Sequence, residues 1–227
     1  MKTTVNAPEE LSAMYQRRFG NEQAARNAVW KVLAPTVFQP YIEPSARVLD
    51  LGCGYGQFIN NIRCREKFAM DLNPAAADYL QSDVRFLRQD CSLRWDVDDH
   101  SLDVVFTSNF FEHLPHKDAL ASTLGEAARC LRKGGRLIAM GPNIKYVGGA
   151  YWDFWDHHLP LTEMSLREIL ELKGFQMERT VPRFLPYTMV GKRPAPIMAV
   201  KLYLRIPFAW KIFGQQFLLI ATAPGRV

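Results

Sequence analysis

Apolar and polar positions change rhythm along the chain, and the changes predict helices alternating with short buried strands. Residues 8–40 are polar, with Leu11, Met14, Tyr15 and Arg18, then Val29, Trp30 and Leu33, at helix-like spacing. Gln39-Pro40 and Glu43-Pro44 close that segment, because proline biases its predecessor away from helix. Arg47–Leu51 reads as a buried strand, followed by glycines and a short helix near Gln57–Arg63. Lys67–Leu72 is the next strand, and Asn73-Pro74 starts a helix with proline in its first turn. Val84–Leu87 and Leu102–Thr107 are further apolar runs that suit parallel strands buried on both faces. Between His116 and Arg132, Leu120, Leu124, Ala127, Ala128 and Leu131 recur at helical spacing, and Lys133-Gly134-Gly135 ends that helix. Arg136–Met140 follows as a strand. Ser165–Glu168 has capping-box spacing ahead of a helix whose apolar face carries Leu166, Ile169 and Leu170 and which stops at Lys173-Gly174. Phe175–Val181 and Phe217–Thr222 read as late strands. The alternation predicts an α/β fold, a mostly parallel sheet with helices on both faces.

The strongest local signal is Val48–Gly56, where a strand runs straight into Gly52-x-Gly54-x-Gly56. Glycine allows a sharp turn and admits a ligand close to the backbone. Asp50 precedes the first glycine by two residues, and the spacing is not the dinucleotide Gly-x-Gly-x-x-Gly, which disfavours a nicotinamide enzyme. Asp71 ends the second strand, suited to a ribose diol, and Asp90-Cys91 ends the third, suited to an adenine edge.

These stretches resemble the class I S-adenosylmethionine-dependent methyltransferases (type 11/12-like). Val48–Gly56 is similar to the family's first motif, Asp71 to its ribose-binding acid and Asp90-Cys91 to its adenine-side pair. Leu102–Leu114 resembles the fourth-strand motif and Leu131–Ile138 the turn into the fifth strand. The resemblance runs from about Tyr15 to Thr222. It implies a Rossmann-like sheet of seven strands with the last antiparallel, and S-adenosyl-L-methionine as cofactor. The cofactor-binding set it implies is Tyr15, Arg18, Gly52, Cys53, Gly54, Gly56, Asp71, Leu72, Asp90, Cys91 and Asn109. Arg18 would pair bidentately with a carboxylate; a solvated helix face is the competing reading. Cys53 and Cys91 read as small packing residues rather than reactive thiols. By the same resemblance residues 1–227 form a single methyltransferase domain, with 1–44 as an N-terminal helical cap and 182–214 as an apolar-basic insert between the last two strands.

Methyl transfer needs an acceptor aligned in line and relieved of its proton. Of the five histidines, His113, His116, His157 and His158 follow strand C-termini, the edge where open α/β sheets bind ligands. His113, His157 and His158 are the candidate bases; structural hydrogen bonding is the alternative for each. No metal is expected, because His113-x-x-His116 with Asp153 or Asp156 is loosely spaced and interrupted by Pro115. Tyr146, Tyr151, Trp152, Phe154 and Trp155 would wall an acceptor pocket or simply pack a loop.

Charge then separates the two ends of the chain. The net charge is +5, yet from Arg179 onward there are eight Lys/Arg and no carboxylate, leaving 20 basic against 23 acidic side chains before it. That excess lies with the insert, so it reads as an approach surface rather than a duplex-binding face, and no nucleic-acid partner is expected. DNA amino-methylation is further disfavoured by Ser108-Asn109-Phe110-Phe111, which lacks paired prolines. Within residues 194–214, Lys201 and Arg205 form a thin basic stripe among Leu202, Leu204, Ile206, Phe208 and Trp210. Peripheral membrane contact, a lid over a lipid-like acceptor, a homodimer contact and plain core packing all fit this pattern. The longest uncharged run, Ile212 to Gly225, is too short to span a bilayer. Four cysteines without a Cys-x-x-Cys pair, and no signal-type apolar core near the start, suggest a cytoplasmic protein, peripheral at the inner membrane surface if the insert touches lipid. The expected chemistry is O-methylation of a hydroxyl on a small molecule, sugar or lipid-linked acceptor. N-methylation of an amine and a non-catalytic cofactor-binding scaffold are the alternatives.

Overall fold

A computed structural model describes residues 23–187 and 195–224. Seven strands form one sheet in the order β3-β2-β1-β4-β5-β7-β6: β1 (Arg47–Leu51), β2 (Glu66–Met70), β3 (Val84–Leu87), β4 (Leu102–Ser108), β5 (Leu131–Pro142), β6 (Gln176–Val181) and β7 (Gln216–Thr222). The β1–β5 pairings are parallel, while β7 runs antiparallel to both β5 and β6. The seven-stranded Rossmann-like arrangement expected from the sequence is the observed one.

Alternate strand positions sort onto two cores, as a pleated sheet buried on both faces requires. Leu49, Leu51, Val105, Leu137 and Leu219 face helices α2 (Lys117–Cys130) and α4 (Glu163–Leu172), which contribute Leu120, Leu124, Leu166 and Leu170. Val48, Phe106, Ile138, Leu218 and Ile220 face the other side. There α1 (Gln23–Leu33), α5 (Ile197–Leu204) and α6 (Pro207–Phe213) supply Leu33, Leu204 and the rings of Trp30 and Trp210. Full burial of one such side chain is worth about 1.5–3 kcal/mol. A one-turn helix, α3 (Ile144–Val147), follows β5.

Four local expectations are corrected. No α-helix forms over Gln57–Arg63; only a 3₁₀ turn, Ile59–Asn61, is present. Three glycines take up the start of this short connection, and Asn61 Nδ2 donates to the Gln57 carbonyl, offering the backbone a non-helical alternative. The segment after Asn73 is a 3₁₀ run, Pro74–Tyr79, capped by Asn73 Oδ1 on the Ala75 N–H. Helix α2 ends at Cys130, so Lys133–Gly135 lies inside β5, where the β4–β5 register shifts between Leu102 and Val104; Gly134, at φ 72°, fits such a bulge. The capping box of α4 is formed by Thr162 and Ser165, not by Ser165 and Glu168.

Every parallel strand points its C-terminus to one edge of the sheet. Pro142 pairs with Gln216 and Val181 with Leu218, so the 182–215 connection rises from that same edge. The glycine turn and the turn after β4 open there too.

Candidate active site

The loop after β1 is built from backbone that side chains resist. Gly52, Gly54 and Gly56 have φ of 69°, 49° and 64°, all in the left-handed region. A Cβ on Gly52 would lie 2.2 Å from Phe110 Cγ, so the ring of Phe110, in the turn after β4, sits directly on this glycine. On Gly56 a Cβ would meet Leu80 Cδ2 at 2.7 Å. Asp71, just past β2, closes the loop: its Oδ2 accepts from the Gly54 N–H and its Oδ1 from the Asn73 N–H, each at 2.9 Å. Burial raises its carboxyl pKa despite those two donors. Asp50 lies deeper, 3% exposed, and burial pushes its carboxyl up to about 8, with Asp71 adding repulsion.

Around the third strand end the contacts are local. Asp90 Oδ1 accepts from both the N–H and the hydroxyl of Ser92, an Asx-type turn. Cys91 is buried, its Sγ accepts from Thr123 Oγ1, and its thiol is pushed up to about 12 by burial. Cys53 is likewise buried and its thiol raised well above the usual range by desolvation. Both are poor nucleophiles at neutral pH. Leu72 is half-buried beside Asp71. Tyr15 and Arg18 lie outside the described residues.

The β4 end contributes polar atoms without partners. Asn109 sits at φ 49°, its N–H donating to the Met140 carbonyl. Its buried Oδ1 has no hydrogen-bond partner, and neither has Oγ1 of Thr107, which pairs in register with Leu51. Orphaned acceptor capacity beside a glycine turn and a sequestered carboxylate fits a polar ligand bound along this edge.

Across the turn, a second group of side chains converges. His113 Nδ1 is 3.1 Å from both Oδ2 and the carbonyl of Asp156. His157 Nδ1 lies 2.9 Å from the Tyr151 carbonyl; a carbonyl only accepts, so that nitrogen carries a proton. The two imidazoles stand 5.0 Å apart, edge to face, and Phe154 stacks on His157 at 4.9 Å. Glu112 is buried beneath them at 3% exposure, and desolvation pushes its carboxyl up to about 7, opposed by His113. For His113 burial works against the charged form, but the Asp156 hydrogen bond and the Glu112 charge outweigh it, and the pKa is raised. The Glu112 carbonyl accepts from the N–H groups of His158 and Leu159, which pins this loop to the β4 turn.

The structure thus brings His113 and His157 together and leaves His158 apart, its side chain exposed. His116 is a helix cap, its Nδ1 accepting from the Ala119 N–H at 3.1 Å. The aromatic stretch divides: Tyr151 is fully buried with its hydroxyl on the Leu159 carbonyl, whereas Trp152 and Trp155 are exposed. Glu112 and Asp156 were not singled out as acid–base groups from sequence; the signal for Glu112 was its place beside His113 in the fourth-strand motif. Glu112, His113 and His157 also offer ligand atoms within 4.8 Å of one another, close enough for a cation, a proximity that the loose His113-x-x-His116 spacing did not suggest.

Residues 49–139 match the family model described as a methyltransferase domain. No curated protein sequence matches the chain. Among solved structures, a candidate methyltransferase of Haloferax volcanii, determined in complex with a methyltransferase activator, is 21% identical with a TM-score of 0.70, covering 98% of this chain and 99% of that one. An S-adenosylmethionine-dependent methyltransferase of Archaeoglobus fulgidus is 19% identical with a TM-score of 0.65, over 93% and 99%. A candidate histamine N-methyltransferase of Thermotoga maritima is 16% identical with a TM-score of 0.64, over 92% and 98%. Among the described residues, no helix is long and apolar enough to cross a membrane.

Proposed function

We propose that this chain is a class I S-adenosylmethionine-dependent methyltransferase, a reading supported by the methyltransferase-domain match over residues 49–139, and that it methylates a hydroxyl oxygen of a small-molecule, sugar or lipid-linked acceptor, with His113 as the general base. The observation that carries the base is the His113–Asp156 contact. A carboxylate on Nδ1 fixes the ring and its tautomer, leaving Nε2 to take a proton, and it stabilises the imidazolium that results. Glu112 adds negative charge below the pair, and His157, held by the Tyr151 carbonyl, packs the imidazole in place.

S-adenosylmethionine supplies a methyl group on a sulfonium, already activated for displacement. This chain's residues therefore have two tasks: to hold that group along the β1–β4 edge and to deprotonate the acceptor in line with it. In this reading Asp71 receives the ribose hydroxyls, and Gly52, Gly54 and Gly56 keep the backbone free of side chains beneath the ligand. Cys53, Leu72, Asp90, Cys91 and Asn109 line its adenine and methionine sides, and Tyr15 and Arg18 cover it from the 1–44 cap. Residues 1–227 act as one catalytic domain, and the 182–214 insert flanks the acceptor entrance.

The test is transfer of labelled methyl from S-adenosylmethionine to panels of hydroxyl and amine acceptors, with and without a chelator. Methylation of hydroxyl acceptors, abolished in His113→Gln while the variant still binds S-adenosylmethionine, is the expected result. Full activity in His113→Gln, or transfer to amines alone, would overturn it. Loss of transfer on chelation would assign Glu112, His113 and His157 to a cation instead.

A further inference from the structure

Helices α5 and α6 lie in the 182–215 connection and use only one side of themselves to join the body. Leu204 is buried, and Val200, Tyr203 and Trp210 are half-buried against the core beneath. Tyr203 Oη donates to the Phe184 carbonyl, and Trp210 Nε1 donates to the Tyr203 carbonyl. Arg183 fixes the end of α6 by donating from Nε to the Gly214 carbonyl and from Nη2 to the Ile212 carbonyl. The pair is thus anchored, and plain core packing accounts for that inner side alone.

The outer side remains in solvent. Met198, Phe208 and Phe213 are 76%, 69% and 61% exposed, with Leu202, Ile206 and Ile212 exposed beside them. Six large apolar side chains exposed within sixteen residues, on two adjoining short helices and the turn between them, are denser than the scattered single residues of an ordinary surface. Lys201, Arg205 and Lys211 stand exposed among them, and Met198, Lys201, Leu202 and Arg205 line one shallow groove.

Charge decides what covers this patch. No carboxylate occurs anywhere from Arg179 to Val227. Two copies meeting face to face would bring Lys201, Arg205 and Lys211 of each against the other's with no acid in the segment to neutralise them. A surface of anionic headgroups over acyl chains satisfies both features at once: the rings and aliphatic chains enter the interface, and the cations remain at headgroup level. Topology adds a reason, since this connection rises from the sheet edge that carries the glycine turn and the His113–Asp156 pair.

We propose that α5 and α6 dock this protein peripherally on an anionic phospholipid bilayer, with the mouth of the active site beside the lipid surface. The docking is independent of whether His113 is the base, and its readout involves no methyl transfer.

The experiment is sedimentation of the full chain with phosphatidylcholine vesicles containing phosphatidylglycerol at half the lipid, and with phosphatidylcholine alone. Two variants accompany it: Phe208→Ser/Phe213→Ser, and Lys201→Gln/Arg205→Gln/Lys211→Gln. All altered side chains are exposed, and unchanged S-adenosylmethionine binding checks that each variant is folded. The expected result is binding to the anionic vesicles that weakens with salt, with partitioning reduced about a hundredfold by loss of three charges and at least tenfold by loss of the two rings. No binding of the unaltered chain to anionic vesicles overturns the proposal, as does binding that both variants retain. Self-association abolished by Phe208→Ser/Phe213→Ser, without vesicle binding, would assign the patch to a second copy and overturn it equally.

Discussion

The two halves of the catalytic edge are made of different materials. On the β1–β3 side the site is backbone: three glycines in the left-handed region, amide N–H groups turned onto Asp71, and Asp50 sealed beneath. On the far side, past β4 and β5, it is side chains: two imidazoles, two carboxylates and a stack of rings held by loop carbonyls. The first half is suited to a ligand of fixed shape, because backbone geometry leaves little freedom to vary. The second can change acceptor by changing side chains while its supporting loop stays pinned to Glu112. Phe110 joins them, with its ring on Gly52 and its neighbours Phe111 and Glu112 leading into the histidines.

Substitutions should separate the halves, and the largest effect belongs to the second. His113→Gln should lower turnover by about 10²–10⁴-fold, the usual contribution of a positioned base, and leave S-adenosylmethionine affinity within twofold. Gly52→Ala strikes the junction. The new methyl meets Phe110 and a left-handed φ together, so a loss of about 2–4 kcal/mol in stability is expected by denaturant titration. Gly52→Ala/Phe110→Ala should recover part of that loss; no recovery would mean that φ alone restricts the position.

Asp71→Ala belongs to the first half. It should weaken S-adenosylmethionine by about 2–3 kcal/mol in calorimetry, the scale of hydrogen bonds to a charged group, and move the His113 pH limb only slightly to lower pH, because the charges of Asp71 and His113 attract one another. A shift as large as that expected from Asp156→Asn would mean that the halves are strongly coupled. Asp156→Asn tests the second half by sign. Asp156 raises the His113 pKa, and a His113 acting as the proposed base must be neutral, so the proposal expects activity to climb with pH through a value above 6.5 in the unaltered enzyme. Removing the carboxylate charge should move that climb to lower pH by about one unit. The same raised pKa adds stability below the unfolded value of His113, and this contribution fades as pH rises through the folded value. The smallest effect is a control in neither half: Thr162→Ala should cost about 1 kcal/mol through the α4 cap and alter neither cofactor affinity nor the pH profile.

The difference between the halves also decides what could be read from sequence. Gly52, Gly54, Gly56 and Asp71 were legible because a left-handed turn and a strand-end carboxylate restrict residue type at fixed spacing. The alternation of buried runs likewise anticipated the strands, since a sheet buried on both faces leaves little choice of residue. His113 and His157 were legible only as candidates, and the Asp156 partnership was not, because the contact spans 43 positions and depends on where a loop folds back. His158, adjacent in sequence to His157, has its side chain exposed to solvent. The helix expected over Gln57–Arg63 failed for a local reason, the competing bond from Asn61. For the 194–214 segment, composition left four roles open, and only the docking of Leu204 and Trp210 distinguishes an inner side from an outer one.

Calorimetric titration of S-adenosylmethionine into two variants, Asp71→Ala and His113→Gln, tests the division most directly. At least a thirtyfold loss of affinity is expected in Asp71→Ala, and affinity within twofold of the unaltered protein in His113→Gln. Equal losses in both, or undiminished binding in Asp71→Ala, would contradict it.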